Sequence, residues 1–225
     1  MIRIEKLNKS YGTKKVLTDI DLEFSEGGVY GIVGENGAGK TTLFKCIAGL
    51  EQFNGTIHTD HSPLKDVLGF LPTDPIFLSH VTAWEYLKLF CVARGVETEN
   101  FEEQNIFDLP LNEYAANYST GMKKKLAIMA VLLQQNKVFI LDEPFNGVDI
   151  QSNIIITALI KKLKSKGKTI LISSHIFSTL KETCDSIFLL QEGKITKYVK
   201  PEQFDELESE MKARTIDDTI DRLII

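Results

Sequence analysis

The sequence predicts an α/β fold, a mostly parallel sheet flanked by helices, with an antiparallel β subdomain and a small inserted helical subdomain. Three observations predict it. The apolar runs Val29–Val33, Val138–Leu141 and Thr169–Ile172 are near-continuous, as strands covered on both faces of a parallel sheet are. Stretches of helical period separate them. Gly34 to Thr42 reads GENGAGKTT between the first run and an amphipathic stretch that stops at Gly49, which is a strand, a phosphate loop and a helix in succession.

The elements follow in chain order. Alternating runs at Ile2 to Leu7 and Leu17 to Phe24 predict two strands of an antiparallel sheet ahead of the phosphate-loop strand. Short strands are expected at Thr56 to His58 and Leu68 to Leu71, then a helix over Ala83 to Arg94 and a weaker one around Phe101 to Phe107. This stretch interrupts the α/β pattern, so residues 73–134 are assigned to the helical subdomain. The pattern resumes with a helix from about Ser119 to Gln134, the strand Val138 to Leu141, a helix over Ile150 to Lys166 and the strand Thr169 to Ile172. Phe188 to Leu190 and Ile195 to Val199, joined through Glu192-Gly193, form a closing hairpin. Residues 1–72 and 135–200 thus make the core with its β subdomain, and Pro201 opens an acidic helical tail over 201–225. In that tail the apolar spacing of Ile216, Ile220, Leu223 and Ile224 suits either a docking helix or a cap on the domain's own core.

Composition narrows the function classes. The 225 residues, 43% apolar and 25% charged, suffice for one well-filled domain. No apolar run approaches the roughly 20 residues needed to cross a bilayer, and Met1-Ile2-Arg3-Ile4-Glu5 lacks a signal-peptide core, so a cytoplasmic protein is expected. Cys46, Cys91 and Cys184 are odd in number and far apart, which suggests buried or idle thiols rather than disulfides or a zinc site. A net charge of -5 argues against a general nucleic-acid binder. Lys123-Lys124-Lys125 reads as a solvated helix face, because three consecutive residues point around a helix rather than along one stripe.

The chemistry concentrates in two places. Gly34, Gly37 and Gly39 let the backbone turn its N–H groups inward around phosphate oxygens, with Glu35, Asn36, Ala38 and Thr42 completing the loop. Lys40 would neutralise the β- and γ-phosphates, and Thr41 would offer its hydroxyl to Mg²⁺. At average composition this pattern arises by chance in roughly one chain of this length in a hundred. The second place is Asp142-Glu143, at the carboxyl end of an apolar strand, where open α/β sheets hold their ligands. Asp142 is suited to hold Mg²⁺ through water, and Glu143 to polarise an attacking water. The guanine-reading Asn-Lys-x-Asp is absent, since Asn136-Lys137-Val138 leads into Phe139.

With these motifs in this order, the chain resembles an ATP-binding-cassette ATPase with a P-loop NTPase core over about Met1 to Lys200. The resemblance implies that Tyr11 stacks on adenine, with Val16 nearby. Ser119-Thr120-Gly121-Met122 resembles the family's signature loop, which completes the ATP site of the opposing subunit, so Ser119 and Gly121 are expected at a γ-phosphate. Asn146-Gly147-Val148-Asp149 resembles the dimer-contact loop, which assigns Asp149 to the nucleotide interface. His175 resembles the histidine that contacts the γ-phosphate. The family usually has Gln after the strand Gly69-Phe70-Leu71-Pro72; Thr73 holds that place here and is carried over as a metal-site residue of shorter reach. Tyr118, Thr120 and Met122 depart from the commonest signature and resemble ATPases of drug and lantibiotic exporters. The resemblance implies ATP and Mg²⁺ as cofactors, ATP hydrolysis coupled to export, a second ATPase subunit closing head to tail in a homo- or heterodimer, and a polytopic permease on a separate chain. The protein would then sit on the inner face of the cell membrane. The alternative class is a soluble cassette ATPase acting on ribosomes or DNA. Such relatives usually carry tandem cassettes, long coiled coils or a zinc hook, whereas this chain has one phosphate loop and no Cys-x-x-Cys.

Overall fold

Two sheets carry the chain. A computed structural model describes residues 1–61, 63–97 and 100–220, with backbone alone over 214–220. Strands β1 (Ile2–Tyr11) and β2 (Lys14–Phe24) pair antiparallel from Ile2 opposite Phe24 to Tyr11 opposite Lys14. The apolar strand β3 (Val29–Val33) leads through the glycine loop into α1 (Lys40–Ile47), and β4 (Asn54–Thr59) returns to pair with β1. The first sheet is therefore ordered β2-β1-β4.

The second sheet is built by helical crossovers. After β5 (Leu68–Leu71) come α2 (Ala83–Val92) and α3 (Thr120–Leu133), then β6 (Val138–Asp142), α4 (Ile150–Ser165), β7 (Thr169–Ser173), α5 (Phe177–Thr183), β8 (Ser186–Gln191) and β9 (Lys194–Val199). The strand order is β5-β6-β7-β3-β8-β9, parallel except for the β8–β9 hairpin. Every residue of β3, β6 and β7 is buried, which is why these runs show no alternation. The helices begin where capping chemistry predicts. Thr82 and Glu85 form a reciprocal capping box on α2, Ser119 caps α3 and Asp149 caps α4.

Apolar clusters fill both faces of the second sheet. Val29 and Val33 of β3 join the cluster with Leu87, Ile156, Ile160 and Leu180 of the helices. Tyr30 and Ile32 join Ile2, Ile4 and Phe24 of the first sheet and Leu43 and Phe44 of α1. Phe24, which is fully buried, packs on Tyr30 and Phe188 at centroid distances of 5.1 and 5.7 Å. Burying one such side chain contributes about 1.5–3 kcal/mol.

The expected helix around Phe101 to Phe107 is absent; those residues form turns. The Asn105 side chain bonds both the Leu109 N–H (3.0 Å) and the Leu109 carbonyl (2.8 Å), a local alternative to the helical ladder. Phe101 is nonetheless fully buried, edge-on to Trp84. The tail forms α6 (Phe204–Ile220), whose Phe204 and Leu207 enter the main core. Lys181 of α5 pairs with its Asp205 and Glu208, so the first turns of α6 cap the domain's own core. The side chains of Ile216 and Ile220, with Leu223 and Ile224, lie outside the described residues. All three cysteines are buried thiols. Among the described residues no helix is long and apolar enough to cross a membrane.

Candidate active site

The sheet order places β7 between β6 and β3, so three strand ends meet at one edge. Asp142 lies opposite Ser173, and Ser173 lies opposite Ile32, just before the glycine loop. The Ser173 hydroxyl donates to Asp142 Oδ1 (2.6 Å) and accepts from the Glu143 N–H (3.0 Å). Asp142 Oδ2 accepts from the Thr41 hydroxyl (2.7 Å) and from the Thr73 hydroxyl (2.6 Å). Thr73 thus reaches the site despite its short side chain. Ser173 went unrecognised in the sequence; its signal is the one hydroxyl ending an apolar strand just before Ser174-His175.

Glu143 holds a left-handed backbone (φ 53°), a strain of about 1–3 kcal/mol for a residue with a side chain. Its Oε2 accepts from the His175 N–H at 3.1 Å. Its Oε1 lies 3.1 Å from His175 Nε2 but has no hydrogen bond there, so a buried acceptor stays open. Burial pushes the carboxyl pKa up, against the pull of His175 and Lys40. Lys40 is buried, and its ammonium donates to the carbonyls of Gly34 (2.7 Å) and Glu35 (3.1 Å). Burial lowers the Lys40 pKa, while Glu143 and Asp142 act to raise it.

A cleft of about 510 Å³ joins these groups, lined by Val16, Asn36, Gly37, Gly39, Lys40, Thr41, Thr42, Thr73, Glu143 and His175. Gly39 sits at φ 109°, where a Cβ would stand 2.8 Å from Leu17 Cδ2, so the loop turns tightly against β2. Ala38 closes the loop through its N–H on the Glu35 carbonyl at 3.2 Å. Lys14, Lys15, Glu192 and Gly193 also line the cleft. No sequence signal marks these four as cleft residues; the folding of the β8–β9 hairpin onto β2, where Thr18 donates to the Gly193 carbonyl, brings Glu192 and Gly193 beside Lys14 and Lys15.

The other expected residues stand outside that lining. Tyr11 ends β1 half-exposed, with Lys9 Nζ 4.6 Å from its ring centroid and its phenol on Glu51 and Thr42. Ser119 caps α3 through the Met122 N–H (3.3 Å). Asp149 caps α4 through the Ser152 N–H (2.8 Å) and pairs with Lys125 (2.7 Å), which holds its carboxyl well below the usual range. Gly121 abuts Gly147, whose carbonyl oxygen would lie 2.7 Å from an added Cβ. The lysine run departs from a solvated face. Lys124 is only 3% exposed and donates to the carbonyls of Pro72 and Thr73, because its step around the helix aims it inward.

A model of the family described as ABC transporter matches residues 17–146, more than half of the chain. The chain belongs to the ABC transporter family. It is 32% identical over 211 residues to an uncharacterized ABC transporter ATP-binding protein of Methanocaldococcus jannaschii, covering 89% of this chain and 78% of the relative. It is likewise 32% identical over 208 residues to the lantibiotic transport ATP-binding protein SrtF of Streptococcus pyogenes, covering 87% and 89%. A solved structure of an ATP-binding subunit of an ABC transporter matches with a TM-score of 0.84 at 28% identity, covering 94% and 99%. This chain is therefore an ATP-binding subunit of the ABC transporter family, and an ATPase.

The cleft of this ABC subunit suits its substrate. Gly37, Gly39, Lys40 and the start of α1 line the cleft, a set of backbone N–H groups and one ammonium whose chemistry suits a phosphate. Among the described residues no cluster of three or more His, Cys, Asp or Glu could hold a metal alone. The oxygens of Thr41, Thr73 and Asp142 instead suit Mg²⁺, a hard cation that takes few protein ligands and completes its shell with phosphate and water. Glu143 Oε1 is buried and has no hydrogen-bond partner, so it keeps an unused acceptor at the edge of the cleft.

Proposed function

We infer that this ABC ATP-binding subunit powers an exporter, held on the inner face of the cell membrane by a polytopic permease on a separate chain. One observation carries the catalytic half: Lys40, Thr41, Thr73, Glu143 and His175 line one cleft, with Asp142 bonded to both threonines. Lys40 neutralises the β- and γ-phosphates, Thr41, Thr73 and Asp142 hold the metal, and His175 meets the γ-phosphate. Bound Mg²⁺ would supply neutralisation of the charge that develops on the phosphate oxygens. Glu143 orients and deprotonates the attacking water, a contribution of roughly 10²–10⁴-fold. Tyr11 and Val16 serve the adenine.

Ser119, Gly121 and Asp149 lie outside their own chain's cleft, which suits service to a second subunit's ATP. Two ATPase subunits, identical or different, close head to tail with each ATP between Lys40 of one and Ser119 of the other. Residues 73–134 act as the helical subdomain that meets the permease. Export rests on Tyr118-Ser119-Thr120-Gly121-Met122 and on the likeness to a lantibiotic transport protein. The test is Glu143→Gln with Mg-ATP, purified from detergent-solubilised cells. A trapped dimer that carries a polytopic membrane protein in stoichiometric amount is expected. A protein that stays monomeric at saturating Mg-ATP with the permease present would refute the head-to-tail mechanism, and one that arrives with ribosomes would refute export.

A further inference from the structure

A lysine this deeply buried needs acceptors in place of the water it loses. Lys124 finds them in the carbonyls of Pro72 (3.3 Å) and Thr73 (2.5 Å), just beyond the last residue of β5. Both carbonyls lie past the β5–β6 ladder, which ends at Leu71 opposite Leu141. The anchored residue is the one whose hydroxyl meets Asp142 Oδ2 at 2.6 Å. A threonine hydroxyl sits on Cβ, so backbone placement decides whether it reaches. A longer side chain could absorb a shift of the segment; Thr73 cannot.

The other end of this contact is the start of α3. Ser119 caps that helix five residues before Lys124, Gly121 abuts the Gly147 carbonyl, and the neighbouring Lys125 pairs with Asp149. The first turns of α3 are therefore fixed to two segments at once, 72–73 at the entry to the helical region and 147–149 after Glu143.

We propose that Lys124 is a positioning residue that holds the Thr73 hydroxyl on Asp142 and so ties the metal end of its own ATP site to the signature start of α3. The proposal rests on the assignment of Thr41, Thr73 and Asp142 to Mg²⁺. Movement of α3 as Ser119 engages a second subunit's ATP is then transmitted to Thr73 through one side chain, without displacing Lys40 or the glycine loop.

Mn²⁺ serves as the probe, titrated by electron paramagnetic resonance against full-length protein loaded with a non-hydrolysable ATP analogue. Lys124→Met keeps the buried stem and removes the donor. It should weaken Mn²⁺ binding about tenfold, the loss of one hydrogen bond from a charged donor. Its affinity for metal-free nucleotide should change by less than about twofold, since the phosphate loop is untouched. In hydrolysis kcat should fall while KM for ATP holds. In a Thr73→Val background, removing Lys124 should add less than about twofold, because both act through one contact. Wild-type Mn²⁺ affinity in Lys124→Met, or losses that multiply in the double variant, overturns the proposal. If Lys124→Met does not fold, Lys124→Leu, which also lacks a donor, takes the same titration under the same criteria. Thr41→Val and Asp142→Asn separate the two levels. If both retain wild-type Mn²⁺ affinity, the metal assignment itself fails; if both lose it and Lys124→Met does not, only the role of Lys124 fails.

Discussion

Ser173→Ala tests how the catalytic edge is held together. The hydroxyl is fully buried, and it both donates to Asp142 Oδ1 and accepts from the Glu143 N–H. Its removal deletes a hydrogen bond to an ionised acceptor, about 1.5–3 kcal/mol, and leaves a buried N–H unpaired, about 1–3 kcal/mol. The two overlap, since one atom is lost, so a destabilisation of about 3 kcal/mol is expected, roughly two decades in the folding constant. The strained Glu143 backbone at φ 53° loses its anchor in the same step, so hydrolysis should fall by tenfold or more as an order-of-magnitude figure. Urea unfolding followed through Trp84, the only tryptophan, measures the first, and phosphate release measures the second. An unfolding free energy within about 0.5 kcal/mol of wild type, with an unchanged turnover rate, would show that Ser173 does not tie β6 to β7.

Three further outcomes are expected. Lys40→Ala should weaken ATP binding by tenfold or more, about 1.5–3 kcal/mol for a charged donor, and an undiminished affinity for a fluorescent ATP analogue would sink its phosphate role. Gly121→Ala should destabilise by about 1–3 kcal/mol in thermal melts, because a Cβ would press on a backbone oxygen, despite alanine's better helix propensity. Burial pushes the Cys184 thiol up to about 12, so its reactive thiolate is absent at pH 8; mass spectrometry should find it unmodified by iodoacetamide in the folded protein and alkylated in urea. Native alkylation at pH 8 would place that residue outside the core.

Much of this protein is determined locally. The glycine loop, the Asp142-Glu143 strand end and the caps at Thr82, Ser119 and Asp149 each follow from dihedral freedom, hydrogen bonds over three residues, or apolar period, all of which a short window contains. The failures are of two kinds. Around Phe101 to Phe107 apolar content mimicked a helix, and the Asn105 side chain bonded to Leu109 instead. Elsewhere the deciding partner is remote. Thr41 meets Asp142 across 101 positions, and Ser173 joins Asp142 only because the crossovers set β7 between β6 and β3. Lys124 is the clearest instance. Its composition and neighbours mark it as a solvent-facing lysine, and its burial depends on two carbonyls 51 and 52 positions earlier in the chain. Periodicity assigns a residue to a helix face, but what that face meets is set by long-range packing, and for a polar group the presence of acceptors there decides whether burial costs stability or secures the site.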